Sequence, residues 1–268
     1  MSYHTINTLY MQNNKMCFFD IFLRDNEIVI VCPANHDKNI NHDKYSVTFP
    51  NNNNIIVKSK VIIKKTRGKY IVIIFSLSPV QHLNVLNVCF TYNDISANYN
   101  LTNGLNQNLF LGQTTLFKDD YKVAKMWINY YEAHGVNHFY VYYNEKLTTE
   151  IINFVKNNKA NVTLLEWNFP YWQNGVPGNH FAQSGQMGHA LYKYGKPYCK
   201  FMIFNDFDEF MKMEDINCTI SDFLSNSNYD TIGFHNVWCY TIDRNIPTSF
   251  PTKIYKSTTT HKFGYRSK

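Results

Sequence analysis

The sequence predicts an α/β protein in which a mainly parallel sheet with helices on both faces is preceded by a small all-β, sandwich-like domain. Three observations carry this. Short β-branched or aromatic runs, separated by Asn, Asp, Pro and Gly, fill the first hundred residues. From Leu109 onward strand-like runs alternate with helical patterns, as βαβ units require. The apolar run Phe201, Met202, Ile203, Phe204 then ends abruptly in Asp206, Asp208 and Glu209. With 268 residues, 44% of them hydrophobic and 16% aromatic, the chain has ample material for a core.

Taken in order, strands are expected at 18–23, 28–32, 45–49, 55–64, 70–77 and 85–92, spaced as in a small sandwich. The polar stretch 93–108, rich in Asn, Ser and Thr, reads as a linker, so the domains divide as 1–107 and 108–268. In the second region 113–117 is a strand. Asp119 and Asp120 offer an N-cap for a helix running to His134, with Val123, Trp127, Tyr130 and Tyr131 on one face and Gly135 just past its end. The next strand is 136–143, Thr148 or Thr149 caps a helix to Asn157, and 162–167 is a third strand. A Pro- and Gly-rich loop leads to a helix over 182–194, and 198–205 is the strand that carries the acids.

Composition excludes several classes. No run of 18 or more apolar residues is present for a transmembrane helix, and no signal-peptide pattern opens the chain, so a cytosolic setting is expected. The six cysteines show no C-x-x-C pair and read as free thiols. A net charge of +6 invites an anionic polymer, but the basic residues are scattered. Their densest group, Lys58, Lys60, Lys64, Lys65, Arg67 and Lys69, lies on alternating strand-like sequence, where lysines protect an exposed edge. Nucleic acid is therefore not the expected partner. Heavy use of Asn, Tyr and Phe reflects an AT-rich genome and says nothing about chemistry.

A lone D-x-D pattern carries little information; its place gives it meaning. A run apolar on both faces suits a central strand covered on both sides. Acids at the carboxyl end of such a strand lie where open α/β sheets bind ligands. Clustered carboxylates repel one another unless a cation compensates them. A hard divalent cation held by one or two carboxylates keeps coordination places open for the oxygens of a diphosphate. Asp206 and Asp208 are accordingly the candidate metal ligands.

The motifs also resemble a known family. T-L-F-K-D-D at 115–120, M-W-I-N-Y-Y at 126–131, H-G-V-N-H-F-Y-V-Y at 134–142, Gly185-Gln186 and F-N-D-F-D-E-F at 204–210 follow one another as in glycosyltransferase family 92, which has a GT-A type nucleotide-sugar fold. The resemblance implies sugar transfer, typically of galactose from UDP-galactose, with inversion and with Mn or Mg, to a glycan or glycoprotein acceptor. It implies that Asp206 contacts the donor ribose or a metal-bound water and that Asp208 binds the cation. Glu209 hydrogen-bonds behind Asp208, orients the acceptor, or is simply structural. Lys118 meets uracil or a phosphate, or is a surface lysine. Gln186 touches the donor sugar, braces the nucleotide loop, or caps its helix. Tyr171 and Trp172 stack on a sugar or pin a loop. Asp243 is the candidate base for the acceptor hydroxyl. His180 and His189 lack ligand spacing.

Relatives in animals and plants usually begin with a membrane anchor, and its absence here implies a cytosolic or viral setting. The final F-G-Y-R-S-K, 263–268, resembles only the start of the family's basic R-x-K segment, so the domain is expected to be C-terminally short. A late histidine often completes such metal sites; His235 or His261 could substitute, or each is a core or surface histidine. The alternative reading is a catalytically weak homologue that binds a glycan or a protein.

Overall fold

A computed structural model describes residues 2–4, 6–10, 16–33, 40–52, 54–65, 70–78, 85–104, 107–119, 121–157, 160–172, 181–213 and 215–233, with short strand pieces at 239–240 and 255–256. Its strands up to residue 102 are β1 (Ser2–His4), β2 (Leu9–Tyr10), β3 (Met16–Phe18), β4 (Asp20–Arg24), β5 (Glu27–Pro33), β6 (Ser46–Thr48), β7 (Ile56–Lys65), β8 (Tyr70–Ser78), β9 (Val85–Tyr92) and β10 (Ile95–Thr102). Then come β11 (Leu109–Phe117), α1 (Tyr121–Ala133), β12 (His138–Tyr143), α2 (Thr149–Lys156), β13 (Val162–Glu166), α3 (Phe181–Ala190) and β14 (Cys199–Phe204).

Two antiparallel sheets, ordered β4-β5-β8-β7 and β10-β9-β6, face each other across a core that includes Ile21, Ile28, Ile30, Ile73, Phe75, Val47, Leu86, Val88, Phe90 and Leu101. The strict alternation of Leu86, Val88, Phe90 and Tyr92 turns one face of β9 inward. β10 corrects the linker reading of 93–108. It pairs with β9 from Ile95↔Tyr92 to Thr102↔Val85, after a tight turn in which Asn93 takes φ +50°. Asparagine tolerates that left-handed conformation. The alternation of Ile95, Ala97, Tyr99 and Leu101 is present in the sequence, hidden by its polar partners. β7 lies at a sheet edge with Lys58 and Lys64 exposed, while Lys60 donates to the carbonyl oxygens of His42, Asp43 and Tyr45.

The second sheet is entirely parallel, in the order β1-β13-β12-β11-β14. β1 is the unexpected member: three residues are too short to show a period, yet Ser2, Tyr3 and His4 pair with Thr163, Leu164 and Leu165. Trp127, Ile128 and Tyr131 of α1 and Ile151 and Val155 of α2 cover one face of this sheet. α1 ends as its glycine requires: Gly135 sits at φ +92°, its N–H donates to the Glu132 carbonyl and that of Val136 to the Tyr131 carbonyl. At the start of α2 the Thr148 hydroxyl accepts from the Ile151 N–H at 3.3 Å.

α3 lies on the opposite face. The helical run covers the expected 182–194 and continues to Tyr198, but its α geometry ends at Ala190, where the chain widens into a π turn over Leu191–Gly195 before a last turn, Lys196–Tyr198. A third core joins Phe19, Phe22, Val29, Val31 and Tyr70 of the N-terminal sheet to Tyr140, Tyr142, Leu165 and Trp167, with Ala182 and Ala190 of α3 between them. α3 is therefore the layer shared by the two sheets.

Candidate functional site

The chain passes from β11 through β12 to β13 in one direction across the sheet, but β14 lies on the other side of β11. Strand order reverses between β11 and β14, and that reversal opens a crevice at their carboxyl ends. A cleft of about 640 Å³ lies there. Lys118 follows β11, Asn144 and Glu145 follow β12, and Asp206 and Asp208 follow β14; Tyr171 and Gln183 complete the wall.

The acids owe their presentation to the residue between them. Phe207 is buried, 4.9 Å from the Phe117 ring and 5.0 Å from the Trp127 ring, whereas Asp206 and Asp208 are exposed. The turn is tied down by Asn205, whose amide donates to the Tyr131 hydroxyl at 2.8 Å and to the Glu209 carbonyl at 2.9 Å, and whose Oδ1 accepts from Gln113 Nε2 at 2.7 Å. Glu209 folds back so that its carboxylate accepts from the Asp206 N–H at 3.1 Å. That places it behind the pair, holding the turn.

Lys118 is in the cleft but engaged: its ammonium lies 2.7 Å from Glu145. The hydrogen bond to that carboxylate and its charge push the lysine pKa above its ordinary value. Among the described lining residues, three carboxylates (Glu145, Asp206, Asp208) face one ammonium. A cleft of that sign repels a bare diphosphate and attracts a cation. Among the described residues no cluster of three His, Cys, Asp or Glu side chains forms a closed metal site. Two exposed carboxylates with open places beside them fit a hard divalent cation that shares its coordination with a phosphate ligand.

Other expected site residues fall elsewhere. Gln186 does not reach the cleft: it is 2% exposed, and its Nε2 donates to Thr114 Oγ1 on β11 at 2.7 Å. Gln183, one turn earlier, takes the cleft position and donates to Asp206 Oδ1 at 3.4 Å. Tyr171 lines the cleft, its hydroxyl pKa raised by burial and by the neighbouring Asp206 charge, and its ring packs edge-on against Trp172 at 4.7 Å. His189 is buried against Asp20 and Tyr142, away from the cleft wall. Asp243, His180, His235 and His261 lie outside the described residues. Asn144 and Glu145 were open to discovery, since they directly follow a parallel strand; Asn144 braces the neighbouring loop by donating to the Trp167 and Phe169 carbonyls at 2.8 Å.

A parallel α/β sheet with an acid-lined cleft at its order reversal places a ligand site without naming its chemistry, and comparison supplies the class. The family model of glycosyltransferase family 92 matches residues 115–268, from within β11 through the whole acidic motif. The chain belongs to glycosyltransferase family 92. No curated protein matches it. Among the described residues no helix is long and apolar enough to cross a membrane.

Proposed function

We propose that this glycosyltransferase is metal-dependent and inverting, and that it moves a sugar, galactose in the first instance, from a UDP-sugar to a hydroxyl of a glycan or glycoprotein. The observation that carries the reading is the pair Asp206 and Asp208, turned outward around buried Phe207 into a cleft at the sheet's order reversal. Asp208 holds a divalent cation, Mn or Mg, and Asp206 secures the donor beside it. When bound, the cation supplies positive charge that offsets the charge building on the departing diphosphate. Gln183 orients the Asp206 carboxylate, and Glu209 fixes the backbone from which it projects. Lys118, beside Glu145 in the cleft wall, is the candidate contact for the uracil or a phosphate of the donor. The acceptor oxygen attacks the anomeric carbon as the bond to UDP breaks, and a carboxylate takes the hydroxyl proton. Asp243 is the candidate for that base.

Calorimetric titration of UDP with Mn, repeated with EDTA and with GDP and CDP, tests the donor site. Mn-dependent, UDP-selective binding is the expected result, and no binding in either condition sinks the reading. Asp208→Asn is expected to abolish Mn-dependent UDP-sugar hydrolysis and leave the circular dichroism spectrum unchanged. Hydrolysis at the wild-type rate in that variant would remove Asp208 from the site.

A further inference from the structure

α3 is gripped from both sides. Toward the parallel sheet, Gln186 donates to Thr114. Toward the N-terminal sheet, two glycines allow direct contact: a Cβ at Gly185 would overlap the Phe19 ring, and one at Gly188 would lie 2.7 Å from the Tyr70 ring. Beyond them stands a fully buried charge. Asp20, the first residue of β4, accepts at Oδ2 from His189 Nε2 and from Lys193 Nζ, each at 2.8 Å, and at Oδ1 from the Asn7 N–H at 2.7 Å. The other imidazole nitrogen of His189 is 2.7 Å from the Tyr142 hydroxyl of β12.

A buried ion pair is weak evidence for stability, because apolar residues of similar volume usually serve as well. Its directional bonds do fix geometry. Here they fix one helix, since both side chains that donate to Asp20 come from α3 and the π turn that continues it. Gln183 stands six residues before His189, about 9 Å along the same rigid element. At that end it meets Asp206.

We propose that Asp20, although it belongs to the N-terminal sheet, is a positioning residue of the transfer site: through His189 and Lys193 it sets the axial place and rotation of α3, and with them the reach of Gln183 to Asp206. The importance of Asp206 rests on the donor-site reading above; the mechanical link from Asp20 to Gln183 does not.

Two readouts on the full chain test it. The side-chain amide signal of Gln183, assigned by its disappearance in Gln183→Met, is expected to move in Asp20→Asn. Affinity for UDP with Mn is expected to fall about fivefold in Asp20→Asn and in Gln183→Met, and by no more than about fivefold in the double variant, because both changes break one linkage. An unmoved amide signal, or losses that multiply to about 25-fold, overturns the proposal. Should the wild type bind no UDP, the donor-site reading falls and the amide signal alone decides the linkage. Should Asp20→Asn not fold, Lys193→Met removes one of the two side-chain donors to Asp20, from a side chain that reaches the surface, and the same outcomes apply.

Discussion

At the scale of single residues, Asp20 shows how a charge survives without water. Burial alone would raise its pKa, yet the Lys193 ammonium and the His189 imidazole outweigh burial and hold it down to about 2, against 3.8 for an ordinary aspartate. A carboxyl whose folded pKa is depressed stabilises the protein above its unfolded pKa and loses that contribution as pH falls through the folded value. Urea unfolding should therefore show stability declining between about pH 4 and about pH 2, by on the order of 2 kcal/mol. The same titration on Asp20→Asn should lack that step; an identical acid profile would assign the decline to other carboxylates. The metal-site candidates are legible in the sequence because the acids follow a run apolar on both faces, which reads as a central strand whose carboxyl end is where open α/β sheets bind ligands. Asp20 is not. Nothing near it in sequence announces that His189 and Lys193, about 170 residues away, will surround it.

At the scale of elements, α3 decides how the molecule is put together. Phe19 is fully buried between Trp167, Phe169 and Phe181, so its ring has nowhere to retreat from a methyl group placed on Gly185. Gly185→Ala is expected to lower the unfolding free energy by about 1–3 kcal/mol in urea titration, although alanine is the better helix former. A stabilised variant would show that the ring moves aside. The helices α1 and α2, their ends and the alternation of strand and helix in the second region follow from period and capping residues, whereas the strand order, with β1 at one edge and β14 beyond β11, does not. Side-chain phase does not: a Gly-Gln pattern marks α3, but the residue facing the cleft is Gln183, because Gln186 finds Thr114 inside. β10 fails for the opposite reason, its period of two masked by Asn, Ser and Thr on the solvent side.

For the whole molecule, the division at residue 107 meets two facts. Ser2–His4 complete the parallel sheet, and the third core draws on residues from both sides of that boundary. A fragment comprising 108–268 loses β1, the Phe19 and Tyr70 contacts to α3, and the partner of His189 and Lys193. We expect it to give no cooperative urea transition, whereas the full chain unfolds in a single one; a fragment with its own sharp transition would establish the second region as an independent folding unit. Change of texture along a sequence marks a change of local architecture, and only buried area tells whether two architectures fold separately.

Phe207 ties the proposed ligand contacts to the fold in a way that bears on energetics. The loop bearing Asp206 and Asp208 cannot swing outward without withdrawing an aromatic ring from between Phe117 and Trp127. Its ordering is therefore completed when the core forms, and an arriving ligand meets carboxylates already in place, with little backbone entropy left to lose. If Asp206 and Asp208 hold the donor as proposed, recognition and folding share that one ring, and a change that loosens the core around Trp127 weakens both.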